Sequence, residues 1–168
     1  MLANIALAHK YISIVYSGDR RLLNVLDVLA FKTGCPQIKE YIYDLIDHIQ
    51  VTKNTLTQLS ENKCGIKPSY TEVNGISGFF KECFFLLEDT NDSQECDEII
   101  LQTLNVISQY NLGILSTIGR QLRANYASCV SIELCELLQN EKKNIGRLEL
   151  LTHEYQAEHI SLNYYQFK

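Results

Sequence analysis

Four long stretches of this 168-residue sequence place an apolar residue at every third or fourth position. The first runs Ile5, Ala8, Ile12, Val15, Asp19, Leu22, Leu26, Leu29, and the second Ile38, Ile42, Leu45, Ile49, Thr52, Leu56, Leu59. The third runs Ile100, Leu104, Ile107, Asn111, Ile114, Ile118. The fourth runs Leu134, Leu138, Glu141, Ile145, Leu148, Thr152, Tyr155. Alternating 3-4 spacing puts these residues on one stripe of a helix, the seam of a left-handed bundle. Punctuation agrees. Thr33-Gly34 closes one pattern and Pro36 opens the next, Cys64-Gly65 with Pro68 closes the second, Asn91-Asp92-Ser93 has the form of an N-cap, and Ala124-Asn125-Tyr126 makes a short joint. The pattern predicts long helices over 4–32, 36–62, 93–123 and 128–157, with a shorter helix near 71–88 and no strand.

Helices of about 26–30 residues are roughly 40 Å long at 1.5 Å per residue, and their stripes can be buried only against one another. The predicted fold is all-α, one four-helix bundle domain over residues 1–168. About 30 residues, including the short helix, join the second long helix to the third. A connection of that length can carry the chain the length of the bundle, which is the ferritin-like arrangement with one additional crossover helix.

Each seam is interrupted near its middle by a polar residue: Asp19, Thr52, Asn111 and Glu141. His48 lies one turn before Thr52 and flanks the same face. Ferritin-like di-metal proteins place inward carboxylates and Glu-x-x-His pairs at this level, because hard cations take oxygen ligands and imidazole completes the shell. Here Thr52, Asn111 and Ser108 are neutral, and Gln109 cannot replace a histidine. Asp19, His48 and Glu141 are the candidate metal ligands, about half a dinuclear shell. Two cations with so little compensating charge would repel strongly in a low-dielectric core. The competing reading of these residues is a hydrogen-bonded polar layer that sets bundle register.

The motifs along the chain resemble those of the YciE/YciF-type ferritin-like stress-protein family, a bacterial group largely without assigned biochemistry. Tyr16-Ser17-Gly18-Asp19-Arg20 is similar to the family's Tyr-Ser-Ala-Glu-Lys, and Asp47-His48-Ile49 falls on its Glu-Glu-Thr, with Thr52 where the family often has histidine. Gly65-Ile66-Lys67 matches a Gly-Ile-Lys turn, and Gly75-Ile76-Ser77-Gly78-Phe79 falls on Ala-Met-Glu-Gly-Leu. Ser108-Gln109-Tyr110-Asn111 stands for Glu-His-Tyr-Glu, and Leu138-Gln139-Asn140-Glu141-Lys142 for Leu-Asp-Glu-Glu-Lys. The resemblance covers residues 16 to about 148. It implies that Asn111 occupies a metal-ligand glutamate position whose ligand has been lost. Asp19 and Glu141 keep the acidic type, His48 substitutes imidazole, and Thr52 and Asn111 depart.

Composition narrows the function classes. Hydrophobic residues make up 46 % and charged residues 21 %, as in ordinary globular chains, which argues against disorder. The net charge is −5 with no Lys/Arg block, so no nucleic-acid footprint is expected. No apolar run approaches the roughly 18–20 residues that span a bilayer, and the N-terminus lacks a basic n-region. Neither a membrane nor a secretory role is expected. The six cysteines show no C-x-x-C spacing and read as free thiols in the cytoplasm. His153 and His159 in "HEYQAEH" are six apart, about 240° around a helix, which does not make a zinc face. Phe79, Phe80, Phe84 and Phe85 on the short helix exceed what one buried face absorbs, and either cover the bundle end or make a homodimer contact.

These observations predict a cytoplasmic, non-enzymatic, stress-associated structural or interaction protein, homodimeric, with a degenerate di-metal centre and no cofactor. The alternative is an iron- or manganese-binding protein with a residual mononuclear or oxidase-type site on Asp19, His48 and Glu141.

Overall fold

The computed structural model describes residues 2–65, 67–69, 76–123 and 129–166. Five helices are present: α1 (Leu2–Lys32), α2 (Pro36–Cys64), α3 (Ser77–Asp89), α4 (Ser93–Arg123) and α5 (Cys129–Gln166). Among the described residues there is no strand. The expected start of the short helix at 71 falls outside the described residues. α5 extends beyond the expected 157 to Gln166, because after Gly146 the sequence holds neither glycine nor proline to stop it.

The helix ends follow their local chemistry. Pro36 takes the first turn of α2, where its missing N–H is not needed. Gly65 closes α2 at φ 64°, a left-handed conformation suited to glycine, and its N–H reaches Ser60 O. Asp92 Oδ1 caps α4 by accepting from the N–H groups of Gln94 (2.7 Å) and Glu95 (3.2 Å). Beyond α2 the chain is strapped to the first half of α1. His9 Nε2 bonds Lys67 O (2.9 Å) and Ser69 N donates to Ser13 Oγ (3.2 Å).

α1 packs on α2 and α4, and α5 packs on α2 and α4, while α3 rides on α4. Cross-helix contacts give the directions. Thr33, just past α1, meets Asp97 near the start of α4, and Tyr155, late in α5, meets the same Asp97. Tyr41, Asp44 and His48 along α2 meet Asn144, Arg147 and Glu141 on α5. Neighbouring helices are therefore antiparallel, and α2 and α4 run parallel. The crossover returns the chain to the end where α2 began, as the long connection requires.

The apolar core falls into two clusters. One contains Leu26, Leu29, Ile38, Ile42, Leu45, Ile100, Leu104, Ile107 and Leu148. The other contains Ile12, Leu56, Leu59, Ile114, Leu115, Ile118, Leu122, Leu134 and Leu137. Between them lie the polar residues of the seams. On α3, Phe80, Cys83 and Leu87 are buried, and Phe79 and Phe84 pack partly against the first cluster. Phe85 (68 % exposed) and Leu86 (51 %) face outward, so one buried face does not absorb all four phenylalanines.

Candidate metal centre at the bundle midplane

The interruptions in the seams of α2, α4 and α5 meet at one level of the bundle. His48 and Thr52 come from α2, Asn111 from α4 and Glu141 from α5, and together with Val15, Ile49, Ile114 and Leu115 they line a space of about 20 Å³. That is room for one water-sized occupant. The 3-4 register turns these residues inward, and the packing of the helices sets Glu141, about a third of the way along α5, level with residues near the middle of α2 and α4. Asp19 lies in α1, but its side chain is outside the described residues, so its expected place in this group is not described.

Glu141 is 1 % exposed, and its Oε2 bonds His48 Nε2 at 2.8 Å. His48 thus serves as the partner of Glu141. Its other oxygen, Oε1, has no hydrogen-bond partner among the described residues; the same holds for Thr52 Oγ1, Ser108 Oγ and Asn144 Nδ2. Four such orphans in one layer are unusual, since each costs about 1–3 kcal/mol when it is left unsatisfied away from water.

Two further residues belong to the layer. Asn144 follows Glu141 by three positions, the spacing of the Glu-x-x-His pairs in di-metal bundles, with an amide where those have imidazole. That spacing was available in the sequence as a signal. Tyr41, seven residues before His48 on the same face of α2, donates to Asn144 O at 3.2 Å. Burial pushes the Tyr41 phenol above its usual range and the charge of Glu141 adds to the rise, against the opposing Ser108 hydroxyl and Arg147 guanidinium. Arg147 stacks over the Tyr41 ring at 5.9 Å and pairs with Asp44 at 2.6 Å on the exposed surface. Gln109 is exposed and lines a separate groove of about 300 Å³ between α4 and α5, away from the midplane.

The described donor set does not fit a dinuclear metal group. It offers one carboxylate and one imidazole, which are bonded to each other, among the hydroxyls of Thr52 and Ser108 and the amides of Asn111 and Asn144. Among the described residues no three His, Cys, Asp or Glu side chains are grouped to hold a metal ion. Likewise, His153 lines the α4–α5 groove while His159 packs its ring on Tyr155, so the two do not form a zinc pair. Cys35, Cys83 and Cys96 are free thiols. Cys83 is buried beside Thr103 Oγ1 at 3.0 Å, and its burial raises its pKa. No helix is long and apolar enough to cross a membrane among the described residues.

No family model matches the sequence, and no curated protein matches it. Solved structures do match. The crystal structure of the Escherichia coli stress protein YciF superposes with a TM-score of 0.85 at 16 % identity, over 94 % of this chain and 99 % of that one. YcfI, a putative structural protein from Rhodopseudomonas palustris, gives 0.76 at 19 % identity, over 86 % and 90 %. The chain has the YciF-type all-α bundle fold, in agreement with the resemblance read from its motifs.

Proposed function

We propose that this protein is a non-enzymatic, stress-associated structural or interaction protein whose di-metal centre is degenerate. The observation that carries the proposal is the midplane pair: Glu141, the one buried carboxylate described there, is engaged by His48 at 2.8 Å. Neutral Thr52, Asn111 and Asn144 supply no further charge to offset two cations. The names of the two structural neighbours, a stress protein and a putative structural protein, lie in the same direction. The free thiols suit a reducing cytoplasm. Protein purified without chelator is expected to carry well under one iron or manganese per chain by elemental analysis. Two metals per chain, lost in Glu141→Ala, would overturn the proposal.

The orphaned Glu141 Oε1 favours a second reading, a mononuclear iron or manganese site completed by Asp19. Its signature is one metal per chain that disappears in both Asp19→Ala and Glu141→Ala.

The outer face of α3 supports a homodimer. Lys81, Phe85 and Glu88 are spaced i, i+4, i+7 on one exposed stripe with the ring in the middle. A twofold axis through Phe85 sets Lys81 of each copy opposite Glu88 of the other and buries both rings, the self-complementary contact that a dimer interface needs. Sedimentation at micromolar concentration is expected to show a dimer, and Phe85→Glu a monomer of unchanged helicity. A soluble wild-type monomer at that concentration removes the dimer.

A further inference from the structure

The corner where α1 turns into α2 holds a second buried carboxylate, which the midplane does not use. Asp97, in the second turn of α4, is 4 % exposed. Thr33 Oγ1 and the Gly34 N–H both donate to its Oδ1, at 2.5 and 3.2 Å. Its Oδ2 is left with the Tyr155 hydroxyl at 3.4 Å, long for a bond between oxygens. An ionised carboxylate can accept about four hydrogen bonds, so this edge is under-used. Among the described residues no Lys, Arg or His forms an ion pair with Asp97.

The space in front of Gly34 is open, and Oδ2 is the atom that borders it. A Cβ on Gly34 would lie 3.9 Å from it and meet nothing nearer. The space belongs to a cavity of about 270 Å³ walled by Cys35, Gln94, Asp97, Tyr155, Glu158 and His159. The Tyr155 and His159 rings pack with centroids 4.3 Å apart, which makes part of the wall aromatic. Burial holds the Tyr155 phenol well above its usual range, and the negative charge of Asp97 raises it further. Asp97 and Glu158 both line this cavity.

These features select one ligand chemistry. A buried carboxylate edge with no counter-ion favours a cation that can donate hydrogen bonds. Aromatic faces favour a cation with an organic body. The cavity is far larger than a bare ion, and no metal-holding group of His, Cys, Asp and Glu occurs among the described residues. We propose that this corner cavity binds a small primary ammonium ion, whose N–H groups donate to Asp97 Oδ2 while its alkyl chain lies against Tyr155 and His159. Such a ligand would join the α1–α2 corner to α4 and α5. The site shares no residue with the midplane layer, so its fate is independent of the metal question.

The test is a titration of the full chain with butylammonium chloride, followed by backbone amide shifts, with sodium chloride at matched ionic strength as control. Saturable shifts at Gly34, Asp97 and Tyr155 are expected. Tetramethylammonium, which has no N–H, is expected to bind about tenfold more weakly or worse. Gly34→Val keeps the backbone N–H that Asp97 accepts and puts a side chain into the space beside Oδ2. Gly34 does not need the left-handed conformation, which among the described glycines only Gly65 adopts, so the variant is expected to melt like the wild type. It should weaken butylammonium about tenfold or more, as should Asp97→Asn. The proposal is overturned by shifts no larger than the sodium control at millimolar butylammonium. It is also overturned by undiminished binding in Gly34→Val, whether or not Asp97→Asn folds, or by equal binding of tetramethylammonium.

Discussion

Replacing His48 with leucine is expected to cost about 3–5 kcal/mol of stability, the usual penalty for breaking a buried pair by removing one partner. The imidazole is the one described partner of the Glu141 carboxylate, at 2.8 Å, and Glu141 is 1 % exposed with Oε1 already unpartnered. His48→Leu therefore strands a carboxylate between two apolar clusters. The double variant His48→Leu/Glu141→Leu removes both polar groups. It is expected to recover the loss, ending near the wild type or more stable by about 1–4 kcal/mol. Urea unfolding checks this if the slope stays constant across the series, so that midpoints report stability. A loss of less than about 1 kcal/mol in the single variant would mean that the pair is solvated, and the account of the midplane would fail.

Asp97→Ala is expected to destabilise the protein by about 2–4 kcal/mol. It removes the acceptor of Thr33 Oγ1, of the Gly34 N–H and of the Tyr155 hydroxyl, and the first and last of these donors are buried. Asp97→Asn keeps an oxygen for the first two and should lose less. Because the bonds tie the α1–α2 joint to α4, hydrogen exchange in Asp97→Ala should quicken first at residues 33–39, ahead of the midplane. Uniform loss of protection along all helices would mean that Asp97 acts on the whole core and does not hold the corner.

The midplane layer was largely legible from the sequence. Thr52, Asn111 and Glu141 each interrupt an apolar stripe, and the structure places them with His48 around one space. Asn144 has a legible spacing from Glu141, but an amide is no signal of a metal ligand. The end of α5 was placed short: fading seam periodicity is not a stop signal, and a helix continues where no residue breaks it. Asp97 was harder to read. It stands three residues before Ile100, in register with the stripe of α4, but an acidic residue so close to a helix start reads as a solvated N-terminal charge, and its partner Thr33 is 64 positions away.

Periodicity, caps and breakers act over a few residues. For this reason the sequence alone determined that there would be four long helices, which face of each would be buried, and at what height polar groups would enter the core. Which polar groups then meet depends on which helices are neighbours and how each is rotated. With α2 against α5, Glu141 found His48, while Thr52 Oγ1 and Ser108 Oγ were left without a hydrogen-bond partner among the described residues. Antiparallel packing of α1 and α5 on α4 brought Thr33 and Tyr155 to the same carboxylate. Those pairings arise from packing between helices distant in sequence, and only the tertiary structure decided them.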